Sequence, residues 1–148
     1  MNGPTSYQAF DQAPPSLEDI QRIGEDILAE LPETFTRHLG GVVIKVEDFP
    51  DEATEKAMEL ESPYDLLGLY HGVPVGHDLG FETPRDQTDM IFLYRQPLLA
   101  YWCDHDFSLS AIIENTLIHE IGHHFGLSDE DMDRIEFPHD HRRGGPMT

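Results

Sequence analysis

Basic residues are scarce in this chain: 9 Lys and Arg stand against 29 Asp and Glu, a formal net charge of −20 at pH 7. A surface this acidic repels both the phosphate backbone of nucleic acids and anionic lipid headgroups. We therefore expect no nucleic-acid partner. The same charge can attract cations or basic peptides, but an acid-rich surface usually serves solubility, and we adopt that reading.

Cysteine and long apolar runs are also lacking. Cys103 is the only cysteine, so no internal disulfide can form and nothing points to an oxidising compartment. We expect it to be a small buried apolar side chain. No apolar run approaches the roughly 18 residues of a bilayer span, and residues 1–6 lack the basic and apolar regions of a secretory signal. We therefore expect a cytoplasmic protein without a membrane partner.

The length of 148 residues suits one domain with a real hydrophobic core. Residues 1–15 and 138–148 are rich in Gly, Pro and polar residues and poor in apolar ones. Such composition is typical of flexible tails. The predicted folded domain is therefore residues 16–137.

Hydrophobic periodicity predicts four helices. Ser16 is a suitable N-cap for a helix that ends at Pro32, and Ser108 or Ser110 can begin another that closes at Gly126. Two shorter helices are predicted over residues 50–61 and about 129–135. The apolar positions that carry the two longer helices are Leu17, Ile20, Ile23, Ile27, Leu28 and Leu31, and then Ile113, Leu117, Ile121 and Phe125.

Three segments read as strands: residues 42–46, residues 66–70, and residues 90–94, the last of which ends before Pro97. Residues 72–86 are rich in Gly, Pro and Asp and read as an irregular loop. We expect the third strand to lie at an edge of the sheet, where it can pair with an extended peptide. This order of elements predicts a compact α+β domain, with too few strands for a doubly wound sheet.

The segment with chemical content is HEIGHH, residues 119–124. His119 and His123 are four residues apart on a predicted helix, so their side chains share one face about 6 Å apart along the axis. That spacing suits a tetrahedral zinc ion, and Glu120 is placed to take a proton from a water that the metal has made acidic.

A third ligand is needed because two imidazoles alone bind zinc weakly. Gly126 can end the helix in a left-handed turn, which would fold the chain back and aim Asp129 at the metal. The predicted ligands are therefore His119, His123 and Asp129. His139 and His141, in the C-terminal tail, are an alternative source of the third ligand.

The pattern HExxHxxGxxD over residues 119–129 resembles that of the metzincin metalloproteases, with Asp in place of their usual third His, as in snapalysin-like peptidases. A broader likeness adds Leu67–Pro74 and Ile91–Leu99 to this segment. Together they resemble the minimal zincin-like family of small bacterial proteins. The likeness spans roughly residues 17–136.

This resemblance implies a reduced zincin fold with a small sheet, a backing helix and a metal-binding helix. It implies His119, His123 and Asp129 as ligands of one zinc ion and Glu120 as general base. Metzincins also place a Met-turn beneath the metal, and we expect that Met147, near the end of the chain, does not supply one.

The sequence offers less support for a role of other polar residues in the site. His124 points about 100° away from His123 on a helix, which makes it a surface or supporting residue rather than a ligand. The remaining candidates near the cleft are His71 and His77 in or beside the central loop, and Tyr94 and Tyr101, which can pack or stabilise an oxyanion.

The leading functional hypothesis is zinc-dependent hydrolysis of a peptide or protein substrate. A catalytically idle metal-binding module, acting as a regulatory or interaction partner, is the alternative, and a non-peptidase hydrolase is a third possibility. The ligand set also accepts Co²⁺, Mn²⁺ or Fe²⁺, but Glu120 beside the metal favours hydrolysis.

Overall fold

The computed structural model describes residues 13–37, 39, 41–72 and 89–134. Most of the two predicted tails and the predicted loop lie outside this part, so these remain predictions. The described residues form six helices, α1 Leu17–Glu30, α2 Glu33–Thr36, α3 Glu52–Ala57, α4 Arg95–Asp104, α5 Leu109–His124 and α6 Asp129–Asp133. They also form three strands, β1 Val42–Glu47, β2 Gly68–His71 and β3 Asp89–Tyr94, and a 3-10 turn at Pro63–Asp65.

The three strands form one mixed sheet in the order β1-β3-β2. β1 and β3 are parallel, with Val42 opposite Asp89, while β2 is antiparallel to β3, with Gly68 opposite Leu93. The predicted α+β class is thus confirmed. The expectation that β3 lies at an edge of the sheet is wrong, because β3 pairs with β1 on one side and with β2 on the other. It therefore has no free side at which a peptide could pair. Among the described strands, β1 and β2 are the edges.

The first helix begins as its sequence predicts. The Ser16 hydroxyl accepts a hydrogen bond from the backbone N–H of Asp19, and the Asp19 carboxylate accepts one from the backbone N–H of Ser16. This capping box satisfies two groups that the helix itself leaves unpaired. The buried residues of α1 face the sheet, where Gly24 lies against Leu93 and Ile44. α1 is therefore the backing helix.

The helix with the HEIGHH segment, α5, lies at the centre of the core. Ten of its 16 residues are buried. The predicted stripe through Ile113, Leu117 and Ile121 was too narrow, because Ile112 and Ile118 are buried as well. The neighbours that cover these faces are α1, α4, α6 and β2. Within the described ranges, no helix combines the length and apolar character that a bilayer crossing requires.

Two helices were absent from the prediction. α4 follows β3 directly and has Pro97 as its third residue. The N–H groups of the first helical turn have no intrahelical acceptor, so a proline there removes no hydrogen bond and does not end the helix. α2 likewise begins just after Pro32. Near the end of α4, Cys103 is exposed, so the expectation that it is buried was wrong.

α5 ends in the left-handed turn that Gly126 predicts, with φ +74° at that residue. The N–H of Gly126 donates to the carbonyl of His123 at 3.1 Å, and the N–H of Leu127 donates to that of Gly122 at 2.8 Å. These two bonds are a Schellman motif. Ser128 then caps α6 through a second capping box with Asp131. The chain thus turns back at the C-terminal end of α5.

α6 is held against α5 by Met132, which is 1% exposed. A Cβ atom added at Gly122 would overlap the Sδ atom of Met132. Gly122 lies between His119 and His123 in sequence, so the absence of its side chain lets α6 approach the helix beside these two residues.

This contact predicts that Gly122→Ala destabilises the protein by about 1–3 kcal/mol through overpacking. The free energy of unfolding, from urea titrations followed by circular dichroism, measures the loss. Because the clash is with Met132, the cost of Gly122→Ala should fall in a Met132→Ala background. An equal cost in both backgrounds would refute the assigned contact.

Candidate metal centre

His119 and His123 occupy adjacent turns near the C-terminal end of α5. Their ring centroids are 5.7 Å apart, with an angle of 63° between the ring planes. Two imidazoles that share one zinc ion, at Zn–N distances of about 2.1 Å, have centroids roughly 5 Å apart. The observed separation of the two rings is close to this value.

Their position on the helix also favours a cation. The C-terminal end of an α-helix carries a partial negative charge from its unpaired carbonyl groups. His123 lies in the last turn of α5 and is exposed, whereas His119 is half-buried. The pair is thus accessible from solvent at the end of the helix where positive charge is stabilised.

Glu120, between the two histidines in sequence, is half-buried. Burial raises the pKa of its carboxyl group above the ordinary value, and the charge of His123 partly opposes that shift. A carboxylate whose pKa is raised toward neutrality is a better proton acceptor than an ordinary one. This environment suits the predicted role of general base.

Asp129 is the first residue of α6, three residues after the turn at Gly126. Its side chain lies outside the part of the chain that the structure describes. Within that part, no group of three or more His, Cys, Asp or Glu side chains is placed to hold a metal. The described side chains thus include two of the three predicted ligands, His119 and His123, and all three ligand assignments stay predictions.

His124 lies on a different side of α5 from the histidine pair. Its ring stacks on Tyr70 at 3.9 Å between centroids, with 20° between the planes, and it meets Phe125 edge-on. Among the described residues, its buried Nε2 atom has no hydrogen-bond partner. The Tyr70 hydroxyl donates to Asp89 at 2.6 Å. His124 therefore packs between α5 and the edge strand β2.

The other candidate residues His77, His139, His141 and Met147 lie outside the described residues.

A cleft of about 350 Å³ lies on the sheet face opposite α1. Phe92 and Tyr94 of β3, with Leu69 and His71 of β2, line its floor, and the chain from Asp51 into α3 forms one wall. We call it the outer-face cleft. Of the residues that line this cleft, the sequence analysis identified only Tyr94 and His71 as candidates. The alternation of Lys45 and Glu47 with Ile44 and Val46 could have placed β1 side chains there as well.

Tyr94 connects this cleft with the motif helix. It is 2% exposed, and its burial and the nearby charges of Glu47, Asp51 and Glu120 raise its pKa to about 12. The phenol is therefore within electrostatic range of Glu120 and remains a hydrogen-bond donor at neutral pH. Tyr101, the other tyrosine considered, instead stacks on His105 at 3.7 Å between centroids.

The raised pKa of Tyr94 predicts an alkaline loss of stability. In the unfolded chain this phenol ionises near pH 10, while in the folded protein it stays neutral to about pH 12. Its contribution to folding is thus complete below pH 10 and is lost as the pH rises to 12. Tyr94→Phe should make the unfolding free energy fall less steeply over this window. Urea titrations between pH 9 and 11.5 check this, and equal slopes for both proteins would contradict it.

No curated protein matches the chain. A conserved hypothetical protein from Thermo thermophilus, of solved structure, is similar at 27% identity over 74% of this chain and 92% of that chain, with a TM-score of 0.46. A family model described as zincin-like metallopeptidase matches residues 39–139. That match covers more than half of the chain and includes the whole sheet and α5, and the protein therefore belongs to the zincin-like metallopeptidase family.

Proposed function

We propose that the protein is a zinc-dependent peptidase that hydrolyses peptide bonds at the C-terminal end of α5. The observation that carries this proposal is the pair His119 and His123, 5.7 Å apart between ring centroids, with the half-buried Glu120 beside them. A metal-binding module alone would need the two imidazoles. It would have no use for a partly buried carboxyl group of raised pKa.

In this proposal His119, His123 and Asp129 hold one zinc ion. Asp129 is included because the Schellman turn at Gly126 and the packing of Met132 on Gly122 return the chain to the end of α5. A zinc ion supplies Lewis acidity, which makes a water acidic enough to lose a proton near neutral pH.

Glu120 carries the proton transfers. Its carboxylate takes the proton from the attacking water and returns it to the leaving amine. Partial burial supports the first of these steps, because it favours the protonated form of the carboxyl group. The phenol of Tyr94, kept neutral by its surroundings, can donate a hydrogen bond to a polar substrate group in the outer-face cleft.

Removing an imidazole should weaken zinc binding by more than about 100-fold, because even the loss of a residue that only supports a ligand costs 10–100-fold. His119→Ala and His123→Ala test this, and Asp129→Asn tests the third ligand. Competition with a chromophoric zinc chelator measures the affinity. His105→Ala, which removes an exposed histidine at the end of α4, is the control and should bind zinc as the wild type does. Wild-type affinity in the His123→Ala protein would refute the site.

Glu120→Gln should keep zinc bound and lower the rate of peptide hydrolysis by about 10²–10⁴-fold, since the amide cannot accept a proton. The measurement is quantitative profiling of new protein N-termini in a proteome treated with zinc-loaded protein. Glu25→Gln, an exposed change on α1, is the control for charge and should leave the cleavage pattern unchanged. If the zinc-loaded wild type produces no new termini, the metal-binding module becomes the better assignment.

A further inference from the structure

The outer-face cleft has an apolar floor that is largely aromatic. The rings of Phe92 and Tyr94 are nearly parallel, with 7° between their planes and 6.4 Å between centroids. The His71 ring meets Phe92 edge-on at 6.4 Å, and Leu69 of the same strand completes the floor. Such a surface can pack against the alkyl stem of a long side chain and attract a cation to the ring faces.

Carboxylates border one part of this floor. Glu47 and Asp51 both line the cleft, and the charges of both act on the phenol of Tyr94, so they converge on its side of the floor. Hydrogen bonds from the Thr54 side chain and, at 2.7 Å, from the Thr54 N–H lower the pKa of the Asp51 carboxyl group, which also caps α3.

One cation already lies in the cleft. The Nζ atom of Lys45 is 3.5 Å from Oε1 of Glu47, and the Lys45 side chain is 55% exposed. Exposed pairs of this kind contribute little free energy, so another cation can displace Lys45 from Glu47. With Glu47, Asp51 and Lys45 all charged, the cleft carries one net negative charge. This charge complements a single positive group.

The cleft and the motif helix share the strand β2. Gly68 and Tyr70 contact α5 on one face of the sheet, while the alternate residues Leu69 and His71 line the cleft on the other face. The Glu120 carboxylate is one of the charges that act on Tyr94 at the floor. Side chains of an extended peptide alternate between the two faces of the sheet that it joins. A peptide paired with the edge of β2 would therefore turn one residue toward the face of the motif helix and the next toward the face of the cleft.

We propose that the outer-face cleft is a subsite for a lysine or arginine side chain of the peptide substrate. This assignment of substrate class rests on the proposed peptidase function. The alkyl stem lies on the Phe92 and Leu69 floor, and the ammonium or guanidinium group meets Glu47 and Asp51 near Tyr94. Acidic and small neutral side chains gain neither contact.

The test is a binding experiment that needs neither metal nor hydrolysis. The full-length, metal-free, ¹⁵N-labelled protein is titrated at low salt with Nα-acetylarginine amide and with its neutral isostere Nα-acetylcitrulline amide, and amide chemical shifts are followed by NMR. The arginine probe should give saturable shifts at Leu69 and Phe92. The citrulline probe should bind there at least about threefold more weakly, because it lacks the charge.

Three variants locate the charge effect. Glu47→Gln should weaken binding of the arginine probe by about three- to fivefold, and Lys45→Gln should strengthen it by about twofold, because the competing cation is gone. Glu25→Gln is the matched control, since it removes one negative charge from α1, which covers the other face of the sheet. It should leave the affinity unchanged.

Equal binding of the two probes would overturn the subsite, and so would an effect of Glu25→Gln equal to that of Glu47→Gln, which would mean that only the overall charge attracts the probe. The proposed function is judged separately. Absence of cleavage with selective arginine binding refutes the peptidase and keeps the cation site. Cleavage without selective arginine binding refutes the subsite alone.

Discussion

The close approach of α5 to the edge strand β2 determines where the motif residues His119, Glu120 and His123 lie. A Cβ atom at Gly68 would be 2.8 Å from Thr116 Cγ2 and 2.8 Å from the Phe92 carbonyl oxygen, so only glycine allows the contact. Farther along the same strand, Tyr70 stacks on His124. The strand therefore holds the helix at two points, Thr116 and His124. Glu120 lies midway between them, four residues from each. These two contacts therefore fix its position along the helix axis and its orientation relative to the sheet.

The first part of α5 belongs to the hydrophobic core, and its last turns carry the candidate site. Its N-terminal three turns are buried on several faces, whereas His119, Glu120 and His123 are progressively less enclosed toward the C-terminal end. A rigid, well-packed first half holds the second half in place, and catalytic geometry depends on such support. Gly122 extends this packing into the motif, since Met132 covers it from α6. The half-buried imidazole of His119 and the exposed imidazole of His123 thus lie on a turn whose opposite side is core.

Features with local causes could be predicted from the sequence. Ser16 and Ser108 cap their helices, and Gly126 ends α5 with a positive φ, because these depend on backbone groups a few residues away. The strand order could not be predicted, because nothing near residues 89–94 reveals that partners from both earlier strands flank them. α4 was missed because Pro97 was read as a terminator without regard to its place in a first turn.

In the candidate site, too, the features with local causes could be predicted and those that join distant parts of the chain could not. His119, Glu120 and His123 share a helix, so their spacing alone predicts their proximity. The prediction that His124 points away from His123 needs only the 100° step between neighbouring helical residues. The outer-face cleft is different, because it joins side chains of β1, β2 and β3 with the start of α3. No segment of the sequence carries that pattern.

The acidity of the chain has a specific consequence at this site. Like charges oppose one another in the folded state, and burial adds to the cost of ionising Glu120. A cation bound between His119 and His123 would offset both effects, since it stabilises nearby negative charge, including that at the C-terminal end of α5. Binding of a metal there and ionisation of Glu120 would therefore favour each other. In a chain with 20 excess acidic charges, this coupling would favour a divalent ion at the end of α5, and it gives a physical reason for a carboxyl group beside the proposed ligands.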